Sequence, residues 1–139
     1  MPGRSNAANG FLEKSQGSME KRGYSISDSG DVTIIRLHRD FELPELLAMI
    51  DDVAQTTSGD HRIWDLGDYF SFTGEQIRQI ADYGKNAVRG PCKIAYVAPN
   101  DLTFGLLRMY EVYRSEDGVQ AKVFRTEADA TDWLNQNKV

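Results

Sequence analysis

The sequence predicts an α/β fold, a mostly parallel mixed sheet opened by an N-terminal antiparallel hairpin strand, in the order ββαβαβαβα. Three observations lead there. Short β-rich runs alternate with segments whose apolar residues recur every three or four positions, the period of one helix face. Gly, Pro or capping residues punctuate the junctions. The most continuously apolar stretch, 92–98, is short enough to be a strand buried on both faces. Strands that alternate with helices imply parallel pairing through right-handed crossovers. A chain of 139 residues that is 40% hydrophobic and 27% charged has the size and composition of one globular domain.

Each element follows from its local pattern. Tyr24-Ser-Ile-Ser and Val32-Thr-Ile-Ile-Arg-Leu flank Asp28-Ser-Gly-Asp31, where Gly30 can take positive φ, and read as a hairpin. Leu43, Leu46, Leu47, Ile50, Val53 and Ala54 form one helical face, with Pro44 in the first turn and Gly59 at the exit. Residues 62–66 are a short strand ending in a polar turn. A second helix starts at Thr73 with Gln76 as capping-box partner, and carries Ile77, Ile80, Ala81, Gly84, Ala87 and Val88 inward until Gly90-Pro91. The small residues in that stripe suggest close approach to a sheet. Asn100 or Asp101 caps a third helix over 102–115. Residues 119–124 alternate as the last strand, and Thr126 caps a final helix docked by Ala130, Trp133 and Leu134.

Residues 1–18 show neither period and lack the apolar core of a secretory signal. They read as a flexible leader, native or left by cloning, since Gly17-Ser18 precedes Met19; the domain is then 19–139. No run of about 18 apolar residues spans a membrane. The single Cys92 excludes an internal disulfide and a multi-cysteine metal site. A net charge of −5 disfavours nucleic-acid binding. Gly-rich nucleotide loops are absent, and no cofactor is expected.

Three stretches, in this order, carry a family resemblance: RIWDLGDYFSFTGEQI at 62–77, CKIAYVAPNDLTFGLLRMYE at 92–111 and VFRTEADATDWL at 123–134. They resemble the middle strand ending in Asp, the strand–Ala-Pro-x-Asp–helix segment and the closing Phe-Arg-(Thr/Asp)-x-x-x-Ala-x-x-Trp-Leu element of bacterial SpoIIAA-like proteins, grouped with STAS/SEC14-type domains. The resemblance spans about 24–136. It implies a small cytoplasmic binding or regulatory domain, often self-associating, with lipid or membrane contact among its proposed roles and no established enzyme activity.

Candidate site residues fall in three groups. Ligands of parallel α/β sheets sit outside the carboxyl ends of the strands, where the pattern places His38, Asp40, Asp65, Asp68, Asn100, Asp101, Arg125 and Thr126. An acidic metal or phosphotransfer pocket would want a lysine where Arg125 stands. Helix capping and an Asp65 turn account for the same residues more simply, leaving an enzyme built on Asp65 and His38 as the weaker alternative. His61 lies at the opposite strand end, and Cys92 reads as inert core. In the phosphorylated STAS antagonists the switch serine sits in an Asp-Ser-Ser-Gly turn, absent here; Ser71 and Thr73 are possible phosphosites by position alone, and Thr73 already has a cap to make.

The third group is apolar. Tyr69, Phe70 and Phe72 crowd one loop, and loops run over the surface. At about 100° per residue, Leu102, Leu106, Met109 and Tyr113 share the expected core face of the third helix. Phe104, Leu107 and Arg108, with Glu111 and Arg114, then point outward. Convergence of Tyr69, Phe70, Phe72, Phe104, Leu107 and Arg108 would make an apolar patch with a basic rim. Such a patch suits an apolar ligand, a lipid or membrane surface, a protein partner or a second copy in a homodimer.

Overall fold

The computed structural model describes residues 18–20, 23–57, 60–88, 91–115 and 118–136. Its elements are β1 (Ser18–Glu20), β2 (Tyr24–Ser29), β3 (Val32–Leu37), α1 (Leu43–Thr56), β4 (His61–Asp65), α2 (Gly74–Ala87), β5 (Cys92–Val97), α3 (Asp101–Arg114), β6 (Val119–Phe124) and α4 (Glu127–Asn135). The predicted ββαβαβαβα order is present, and the three-residue β1 adds a further antiparallel edge strand that begins on the last residue of the expected leader. Residues 1–17, and the expected helix exits at Gly59 and Gly90, lie outside the described residues.

The sheet runs β1-β2-β3-β4-β5-β6 with no strand out of sequence order. β2 and β3 pair antiparallel through a two-residue turn in which Gly30 takes φ 68°; β3 through β6 are parallel. Right-handed crossovers that step in one direction put every crossover helix on the same face. Accordingly α1, α2 and α3 share one face. There Leu46, Ile50, Ile77, Ile80, Leu107 and Tyr110 meet Ile35, Trp64, Ile94, Tyr96 and Val123 of the sheet. The other face needs a helix that is not a crossover, and α4 serves, laying Ala130 and Leu134 over Val32, Ile63, Ala95 and Val97. Leu134 is buried as expected. Trp133 is only half-buried, packed at a tilt against Phe124 with the Lys93 ammonium 5.1 Å from its ring.

Helix starts follow the capping chemistry. Thr73 Oγ1 accepts the Gln76 N–H while Gln76 Oε1 accepts the Thr73 N–H; Asn100 and Thr126 accept from Thr103 and Asp129. The free edge of β6 is covered by α3. The Ala121 and Val123 N–H groups donate to Ser115 Oγ (3.0 Å) and Glu111 Oε2 (2.8 Å), which removes the ladder that another strand would extend.

The small stripe of α2 has a different cause from the expected one. A methyl on Gly84 would meet the Arg114 Nε of α3 at 3.1 Å, so the missing side chain makes room for a guanidinium and not for the sheet. Gly105 on α3 faces open space and pays the backbone entropy of glycine for no contact. In chemical denaturation Gly84→Ala should therefore cost about 1–3 kcal/mol, and Gly105→Ala should gain about 0.5–1 kcal/mol. Equal effects at the two positions would contradict this packing.

Candidate functional site

The carboxyl edge holds the residues read from the sequence, but in separate pairs. The Asp65 carboxylate accepts the Gly67 N–H, as its turn suggests, and Asp68 accepts from the Asn100 side chain. Asp101 takes an ion pair from Arg125 at 2.6 Å, and Thr126 is a cap. His38 Nε2 lies 3.1 Å from Ser25 Oγ on the neighbouring strand. Asp65 and His38, on which the weaker enzyme alternative rested, thus engage different partners. Among the described residues no group of three or more His, Cys, Asp or Glu side chains is placed to hold a metal ion.

One cluster at this edge escaped sequence reasoning. Arg36 on β3 forks onto Glu127, the first residue of α4, with Nε and Nη2 each 2.8 Å from a carboxylate oxygen. Asp65 stands in register with Arg36 on the adjacent strand, and the Glu127 carboxylate bears on its protonation. Burial, then Glu127, push the Asp65 carboxyl up to about 7, while the Arg36 fork holds Glu127 below the usual carboxylate range. Arg36 and Glu127 are 91 positions apart, so no local pattern announces them.

The apolar patch is corrected. Phe70 and Phe72 turn inward, their rings edge-to-face at 4.9 Å, and both are core. Leu107, at 1% exposure, is among the most buried residues of the chain. Phe104 is half-buried beneath the Arg125 guanidinium, 4.1 Å from its ring. Of the six expected residues only Tyr69 and Arg108 are exposed, and Arg108 pairs with Glu111 on its own helix. The helix is rotated. Thr103, Leu107, Tyr110 and Arg114 face the core, whereas Leu102 is 74% and Val112 73% exposed, with Met109 also open. Leu102, Gly105, Met109 and Val112 therefore run along the outer face, flanked by half-buried Leu106 and Tyr113. Of the two hydroxyls considered for phosphorylation, Thr73 is occupied as a cap and Ser71 is exposed.

Arginine explains the rotation. Arg114 Nη2 donates to the carbonyls of Gly84 (3.1 Å) and Val88 (2.7 Å) at the end of α2. Arg62, equally unexpected in the core, donates to Thr57 Oγ1 at the end of α1. Each cation thus sits at the negative pole of a helix. Both line an interior cavity of about 40 Å³ with Trp64, Tyr96 and Tyr110. That volume suits ordered water. Cys92 lies near both arginines, yet burial outweighs them and raises its thiol above the ordinary range.

Comparison with known proteins adds no relative: no family description matches the chain, and no curated protein matches it. The two leucines of α3 separate the expected and observed orientations. Leu107→Ala should cost about 2–5 kcal/mol, the range for a buried leucine. Leu102→Ala should stay within about 0.5 kcal/mol in the same denaturation series. The reverse order would restore the rotation expected from hydropathy.

Proposed function

We propose that the chain is a non-enzymatic interaction domain of the SpoIIAA-like, STAS type that docks a protein partner through the outer face of α3. The observation that carries this reading is the exposure of Leu102 and Val112 on one stripe of an otherwise well-packed helix. A surface helix keeps its far side polar unless something covers it. Burying a leucine or valine is worth about 1.5–3 kcal/mol each, enough for a reversible contact. Among the described residues no helix is long and apolar enough to cross a membrane.

Phosphorylation fits as a regulator of the same surface. Ser71 is exposed in the turn that leads into α2. That turn is tied to the start of α3 by Asn100 donating to Asp68 and by Thr103 Oγ1 donating to the Phe70 carbonyl. A phosphate at Ser71 would place about two negative charges beside that junction.

The double substitution Leu102→Ser with Val112→Ser should leave the melting temperature close to that of the unaltered protein and weaken partner binding at least tenfold. Binding is measured by calorimetry with a partner first recovered by affinity capture and then purified. Ser71→Glu should change that affinity, while Thr73→Glu should lower stability by removing the cap. Unchanged affinity in the double variant would refute the docking face.

A further inference from the structure

Two arginines line one interior cavity, and among the described residues neither forms an ion pair with a carboxylate. Arg62 is 6% and Arg114 2% exposed, so both charges are held away from water. Their protein acceptors are neutral. Arg62 forks through Nε and Nη2 onto the single Thr57 Oγ1, whose own proton goes to the Val53 carbonyl. Arg114 donates through Nη2 to the Gly84 and Val88 carbonyls. Nη1 of each arginine makes no hydrogen bond to the protein among the described residues. The charges do not balance. The C-terminal pole of a helix is worth roughly half a negative charge, so the ends of α1 and α2 offset about one of the two positive charges. About one unit is left in an interior where an uncompensated charge is costly. Burial lowers the Arg62 guanidinium from its ordinary value, and the Arg114 charge adds to that shift. The Asp60 carboxylate works the other way, but it is exposed and screened by solvent.

A neutral donor stands beside the cations. Tyr96 donates its hydroxyl proton to Tyr110 Oη at 3.2 Å, which leaves the Tyr110 proton to donate elsewhere. Tyr110 Oη and Arg114 Nε lie 3.6 and 3.1 Å from the point a Cβ on Gly84 would take, so both border the same space. The cavity, about 40 Å³, holds about three water-sized groups. A second cavity of about 190 Å³ shares Arg62 and Val88 with it and includes the exposed Asp60 and Pro91 in its wall. Arg62 therefore stands between an entrance and the interior.

We propose that this cavity binds a small monovalent carboxylate, of the size of formate or acetate, between the Arg62 and Arg114 guanidiniums with the Tyr110 hydroxyl as a third donor. One negative charge matches the unit that the helix poles leave. A planar guanidinium recognises a planar carboxylate through paired N–H groups, which a spherical halide does not engage. The rest of the wall is apolar, Trp64, Ile94 and Leu107 among it, so a short alkyl group fits where a polar tail does not. The site lies at the amino ends of β4 and β5, away from the edge that carries Asp65 and Arg125. It faces the inner side of α3, so it is independent of the outer docking stripe.

The test is an NMR titration of the intact chain with sodium formate, with ionic strength held constant by sodium gluconate, whose anion is too large for the cavity. Formate should shift the amides of Thr57, Gly84, Val88 and Tyr110 along saturable curves and raise the melting temperature over the same concentrations. Sodium chloride should have a much smaller effect on both. Arg62→Met removes one guanidinium and keeps apolar bulk in its place. It should weaken formate binding roughly ten- to a hundredfold, the worth of a hydrogen bond to a charged group. Asp60→Asn, at the entrance, should tighten binding by removing a competing negative charge. The titration of the unaltered protein decides the proposal even where Arg62→Met does not fold. No saturable shift with formate, an equal response to chloride, full formate affinity in Arg62→Met, or weaker binding in Asp60→Asn would each overturn the site.

Discussion

A guanidinium that is only 2% exposed must find acceptors inside the protein, and Arg114 finds them on the last carbonyls of α2. Those acceptors are fixed in space, so they fix the rotation of α3 about its axis. With Arg114 turned inward, Thr103, Leu107 and Tyr110 must follow at helical spacing, and Leu102, Met109 and Val112 must face out. Gly84 is the complementary requirement, since a Cβ there would stand 3.1 Å from Arg114 Nε and press on the guanidinium. Tyr110 then reaches Tyr96, and the two hydroxyls lie 3.2 Å apart deep in the core. Leaving these groups unpaired would cost more than burying an extra leucine could return, so the polar geometry prevails over the apolar count.

The same constraint shapes both edges of the domain. α3 in this orientation brings Glu111 and Ser115 against β6, where they satisfy the outward amides of a strand that would otherwise invite another chain. The monotonic strand order assigns three helices to one face and, among the described residues, leaves α4 alone on the other. One face is therefore a core with a polar lock inside it, and the second is a thinner layer held by a few apolar contacts and the Arg36–Glu127 fork.

Much of the fold was legible because its signals are local. The Thr73–Gln76 capping box, the Gly30 turn and the alternation of β6 depend on residues a few positions apart, and each formed as read. α3 misled for a physical reason. Its sequence carries two stripes at helical spacing, and the one richer in leucine and methionine is the solvent side, whereas the core stripe contains a threonine and an arginine. The aromatic turn misled similarly, because Phe70 and Phe72 fold under a loop that proximity in sequence describes only as a loop. Arg62 shares its strand face with Trp64 and Leu66, a pattern that could have flagged an arginine needing a buried acceptor. Nothing local could have joined Arg36 to Glu127.

The orientation of α3 is the central claim, and thiol labelling tests it most directly. Cys92, the one native cysteine, is buried, so a cysteine introduced on α3 reports its own environment. Leu102→Cys should react with a thiol reagent at nearly the rate found in denaturant, while Leu107→Cys should react only through unfolding, slower by orders of magnitude. Fast labelling at 107 together with protection at 102 would contradict the account.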